Sequence, residues 1–93
     1  MSSQTFSWYG YEIIPESGVS ITWDLEERKH FKALPAPGSS QRITPTQGEN
    51  LLFERARHPG RRNAPLIWLL RYGDETFAVD DRVVSQLHKD LAE

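Results

Sequence analysis

Between Arg55 and Arg71 the chain carries five arginines (Arg55, Arg57, Arg61, Arg62, Arg71) and His58, with no carboxylate among them. The planar fork of an arginine meets two oxygens of a phosphate or carboxylate at once, and its charge does not titrate away. Such a set predicts contact with something anionic, either a nucleic-acid backbone or the acidic surface of another protein. His58 adds a further alternative, a metal-free ribonuclease of the toxin type. There the imidazole would move the proton, and Arg55, Arg61 or Arg62 would stabilise the pentavalent phosphate. The opposing expectation is that acids elsewhere in the chain fold against the arginines and neutralise them, with Glu54, Asp74, Asp80 and Asp81 as the candidates.

A second group is the aromatic run Phe6, Trp8, Tyr9 and Tyr11. In one continuous strand, Phe6 and Trp8 face one way and Tyr9 and Tyr11 the other. One side is expected in the core. The other would serve as an anchor patch, with Trp8, Tyr9 and Tyr11 as protein-contact residues. The acids nearby (Glu12, Glu16, Asp24) argue against phosphate binding at this patch.

No other residues form a recognisable chemical set. His30, His58 and His88 lack metal-ligand spacing, the serines sit in no nucleophile motif, and no glycine-rich phosphate loop occurs. There is no cysteine, hence no disulfide and no thiolate metal site. The sequence therefore predicts no metal, no cofactor and no enzymatic activity. No family motif is present either.

Charge falls in three blocks behind a formal net charge of −2. Residues 1–27 carry five acids and no Lys or Arg. Residues 28–72 carry nine basic residues against Glu49 and Glu54, and residues 73–93 carry six acids against Arg82 and Lys89. The acidic ends can meet the basic middle within one chain, or between two chains across a two-fold axis.

The elements that must position these groups follow from periodicity. Residues 6–14 and 19–25 read as strands joined by a turn at 15–18, giving an antiparallel hairpin over 6–25. Residues 24–34 read as a short helix, with Asp24 capping and Glu27 three positions on, or as a continuing strand. Residues 35–48, with three prolines and two glycines, predict a mobile loop. Thr44-Pro45-Thr46-Gln47 competes as a capping signal for a helix over 45–57, and the alternative there is a strand over 50–57. Residues 65–72 form the most apolar run and predict the central strand. Gly73-Asp74 turns the chain into a short strand over 75–79. Asp80 or Asp81 then caps a helix whose apolar face is Val83, Val84, Leu87 and Leu91.

These elements give a single-domain α+β fold: a small antiparallel sheet of four to five strands in a two-layer arrangement, with the C-terminal α-helix packed on one face. The expected function is that of a small binding or regulatory module acting through a protein–protein interface. A homodimer, or an inhibitor or accessory factor of phage or mobile-element type, fits that size and style. Nucleic-acid binding through 55–71 is the alternative, and the ribonuclease the second alternative. A cysteine-free chain without a signal-like N-terminus fits the cytoplasm. The longest apolar run, seven residues over 64–70, is far short of the ~20 that a membrane span needs, so no membrane partner is expected.

Overall fold

The computed structural model describes residues 7–26 and 28–91. Phe6, Glu27 and the side chain of Leu91 lie outside the described residues.

The aromatic run is not one strand. It breaks into β1 (Ser7–Trp8) and β2 (Tyr11–Ile13), paired antiparallel with Trp8 opposite Tyr11. Tyr9 and Gly10 make the turn at φ 46° and 88°. Two positive φ values are what a two-residue type I′ hairpin requires.

The hairpin expected over 6–25 does not form either. β2 and β3 (Val19–Thr22) lie end to end along one edge of β6 (Asn50–Arg57). Ile13 pairs with Ala56 and Val19 with Phe53, so six steps along the edge strand span three steps of β6. Ser17 fills the gap. Its hydroxyl accepts the Arg55 N–H at 2.9 Å and donates to the Ile14 carbonyl at 2.7 Å. The three-residue excess is odd, and an odd shift moves side chains to the opposite face. Tyr11 and Ile13 therefore point to one side of the sheet, and Val19 and Ile21 to the other, although all four positions are odd-numbered.

β6, β7 (Ile67–Tyr72) and β8 (Glu75–Val79) form an antiparallel meander, with Leu70 opposite both Phe53 and Phe77. β7 is interior, as its apolar run predicts, and Gly73-Asp74 is the turn. The helix alternative over 45–57 gives way to strand. In place of the Thr44-to-Gln47 capping box a different local bond forms, with the Thr46 N–H donating to Glu49 Oε1 at 2.9 Å. It closes a turn instead of starting a helix. The Glu49 N–H returns to the Thr46 carbonyl at 2.9 Å, and Gly48 at φ 91° leaves helical space.

The described residues of 24–34 hold no helix. They end in β4 (Phe31–Ala33), which pairs with β5 (Gln41–Ile43), a strand lying within the 35–48 segment. A double backbone hydrogen bond between Leu34 and Ala78, both at 2.8 Å, ties this hairpin to β8. The result is a six-stranded sheet plus a two-stranded one, curling toward a barrel, rather than four to five strands. The split of the first strand and the unforeseen β4–β5 pair account for the difference.

The main core lies on one face. Trp23, Phe31, Phe53, Leu70 and Phe77 meet there, and α1 (Asp81–Leu91) adds Val84 and Leu87. Asp80 caps α1, its carboxylate accepting the Arg82 N–H at 2.8 Å. A smaller cluster on the opposite face joins Trp8, Ala56, Leu69 and Ala78, flanked by Tyr11, Ile13, Leu34 and Ile67.

Candidate binding surface

Strand register distributes the arginines over several places. Arg55 and Arg57 share the α1 side of β6 with Leu51 and Phe53, and Arg55 stands opposite Trp68. Arg71 shares the other side with Leu69 and Glu54. No single face gathers all five.

Arg55 is answered within the chain. Its guanidinium lies over the Trp68 ring, 4.5 Å from the centroid, and Nη2 is 3.3 Å from Asp81 Oδ1. The Trp68 indole N–H donates to that same oxygen at 2.8 Å. One carboxylate in the first turn of α1 thus serves an indole, a guanidinium and the helix dipole. Arg57 stands opposite Glu12 in the β2–β6 register. Compensation by the acidic ends is therefore the finding at Arg55, as the opposing expectation had it.

Arg61 and Arg62 are different. They sit exposed on the loop before β7, and no carboxylate lies within ion-pair distance of either among the described residues. Two backbone hydrogen bonds order this loop: Arg61 N–H to the His58 carbonyl at 3.1 Å, and Ala64 N–H to the Arg61 carbonyl at 3.2 Å.

The turn at Tyr9-Gly10 sets the aromatics in an order the single-strand expectation did not foresee. Trp8 and Tyr11 become cross-strand neighbours on one face, with ring centroids 6.0 Å apart. Tyr9 meets Trp8 edge-on at 4.8 Å, and Tyr11 meets His58 edge-on at 5.0 Å. His58 wedges the hairpin against the arginine loop. A Cβ on Gly10 would fall 2.5 Å from His58 Nε2, so this position needs glycine for space as well as for its φ. Gly10 is the one local signal for this turn, and the strand-forming aromatics on both sides of it outweigh that signal in the sequence.

The wedge brings together two groups that are separate in sequence. A cleft of about 330 Å³ is lined by Trp8, Tyr9, Tyr11, Leu34, Pro37, His58, Arg61 and Ile67, among others. A second concavity of about 430 Å³, formed by Tyr11 and residues 61–65, adjoins it through Tyr11 and Arg61. Among the described residues, two buried polar atoms of cleft-lining side chains have no hydrogen-bond partner, Trp8 Nε1 and His58 Nδ1. Trp23 Nε1 is also unpaired, in the main core, and nothing in the structure explains it.

The ribonuclease constellation is only partly assembled. Arg61 shares the cleft with His58, while Arg55 is engaged with Asp81 and Trp68 in the groove beside α1. Among the described residues no group of three or more His, Asp or Glu side chains is placed to hold a metal ion. No described helix is long and apolar enough to cross a membrane.

Comparison with protein-family models, with curated proteins and with solved structures gave no match. Function has to be argued from the site itself.

Proposed function

We propose that this protein is a small binding module, without catalysis of its own, that acts through a protein–protein interface made by the β1–β2 hairpin and the loop before β7. The observation that carries this reading is Tyr9. It is 60% exposed and holds φ 46°, a conformation that bulky residues avoid. A left-handed backbone costs an L-residue about 1–2 kcal/mol, and asparagine or glycine would bear it more easily. The edge-on contact with Trp8 returns about 0.5–1.5 kcal/mol. An exposed tyrosine held in a strained turn, beside a second tyrosine and two open arginines, has the composition of an interface hot spot.

The test is affinity capture with Tyr9→Asn, a residue that tolerates the turn. A protein held by the wild type and by the control Gln86→Ala, but lost from Tyr9→Asn, is the expected result. Equal capture by all three would end the reading.

Nucleic acid is the second reading, favoured by one observation: Arg61 and Arg62 line a concavity with the half-buried ring of Tyr11, a pairing of cation and aromatic that single strands use. Two phosphate contacts predict a log–log salt slope of only about −1.4 for a single strand. No binding at about 50 mM salt would remove this reading.

A further inference from the structure

Charge and hydrogen bonding at the aromatic cleft narrow the kind of partner it suits. Arg61 lines the cleft and, with Arg62, the adjoining concavity. The acid on the cleft wall, Asp80, is already engaged by the Arg82 N–H at the start of α1. Asp80 keeps its charge, so the cleft proper is balanced, and the excess of positive charge lies in the adjoining concavity, which Arg61 and Arg62 line without an acid. Trp8 lines the same cleft, is 7% exposed, and its indole N–H has no acceptor among the described residues. An unpaired buried donor is costly and is relieved by any acceptor that reaches it. An extended peptide supplies a row of unpaired backbone carbonyls, and an acidic one supplies carboxylates as well. Apolar walls at Tyr11, Leu34 and Ile67 leave room for an apolar side chain in a space of about 330 Å³.

We infer that the cleft receives an extended acidic segment of a partner protein, an inference that rests on the interface reading above. One apolar side chain of the segment seats against Tyr11, Leu34 and Ile67. Its carboxylates meet Arg61 and Arg62, and one of its carbonyls takes the Trp8 indole N–H. Reaching that N–H needs a side-chain adjustment at the cleft, of a kind common at interfaces.

Titration followed by NMR at the Trp8 indole N–H tests this directly, with the signal identified by its loss in Trp8→Phe. Three capped decapeptides serve as probes. The first alternates glutamate and glycine around a central leucine, the second carries lysine for glutamate, and the third carries glycine for the leucine. The first should shift the Trp8 signal saturably, and the other two should bind at least about tenfold more weakly. Arg61→Glu combined with Arg62→Glu, both at exposed positions, should reverse the preference between the first two peptides.

The inference is overturned by equal affinity for the acidic and basic peptides, or by no shift with any of them at about 1 mM. It is also overturned if a decamer of thymidylate moves the signal and the acidic peptide does not, or if dilution of the protein alone moves it. If it is overturned while Tyr9→Asn still abolishes capture of a protein, the interface reading stands and its partner has a different chemistry.

Discussion

Trp68 and Trp8 lie on opposite faces of one sheet and are almost equally buried, at 8% and 7% exposure. They differ in what surrounds the indole. Trp68 donates to Asp81 and carries Arg55 over its ring, so each polar group there has a partner from the same chain. Trp8 carries Tyr9 and Tyr11 at its ring, and its N–H meets no acceptor among the described residues. The arginines follow the same division. Arg55 is paired, while Arg61 and Arg62 are exposed with no carboxylate within ion-pair distance among the described residues. One region has its polar groups satisfied from within. The other holds a donor and two cations unmet among the described residues, which is what the proposed interface requires, although the unpaired Trp23 indole shows that an unmet donor alone does not mark a surface.

The sharpest way to break this comparison is at Asp81. Asp81→Ala leaves the Trp68 donor unpaired and removes an acid from the first turn of α1, so urea denaturation should show a loss of about 2–3 kcal/mol. Asp81→Asn keeps an acceptor for Trp68 and should recover about half of that. A loss within about 0.5 kcal/mol for the alanine variant would show that the cluster contributes little.

Next in size is a matched pair. Trp68→Phe gives up a hydrogen bond to a carboxylate and should cost about 2 kcal/mol. Trp8→Phe sheds an unpaired donor, which offsets the lost ring volume, and should stay within about 1 kcal/mol of wild type. Equal losses would erase the distinction between the two faces. Ser17→Ala should cost about 1 kcal/mol, because it leaves the Arg55 backbone N–H without its acceptor. Hydrogen exchange at the Arg55 amide should quicken in step, and an unchanged rate would mean that the bond contributes little.

The smallest expected effect depends on pH. Burial pushes the Tyr72 hydroxyl above its ordinary value, and its 3.2 Å hydrogen bond to Glu49 and the negative charge there push the same way. The folded state therefore holds this proton more tightly than the unfolded chain does. The resulting stability is complete below the unfolded value of about 10 and is lost as pH rises through the raised folded value. The stability difference between wild type and Tyr72→Phe should be flat at neutral pH and shift against the wild type above about pH 10. A difference that stays constant through that range would contradict the assignment.

The parts of the fold that were legible are those where one local signal acts alone. The apolar run of β7, the Gly73-Asp74 turn and the spacing of Val83, Val84 and Leu87 each admit one arrangement. Residues 15–18 look like a hairpin turn because Pro, Ser and Gly favour turns. Here they form an insertion in a continuing edge, and only the hydroxyl of Ser17 reveals it. The true turn at Tyr9-Gly10 is hidden because tyrosine is a strand former. The capping signal read at Thr44–Gln47 is replaced by a bond between Thr46 and Glu49, two positions further on, and Gly48 and pairing with β3 and β7 decide for strand. The candidate surface was legible in its residues and not in its geometry. Trp8, Tyr9, Tyr11, Arg61 and Arg62 are all conspicuous by type, yet His58 unites them across about 50 positions of sequence through a contact no spacing rule describes.

The insertion at Ser17 bears on how this protein behaves in a crowd. An edge strand running unbroken from Tyr11 to Thr22 would hold out a long ladder of free backbone groups, a template on which another chain could add a strand and begin a fibril. Instead that side of the sheet ends in Ser7–Trp8 and Val19–Thr22, pieces of 2 and 4 residues separated by a proline and a glycine. The same residues that switch the apolar phase from one face to the other also keep the border too short and uneven for stacking. A protein that displays an open aromatic surface thereby remains guarded along its edge.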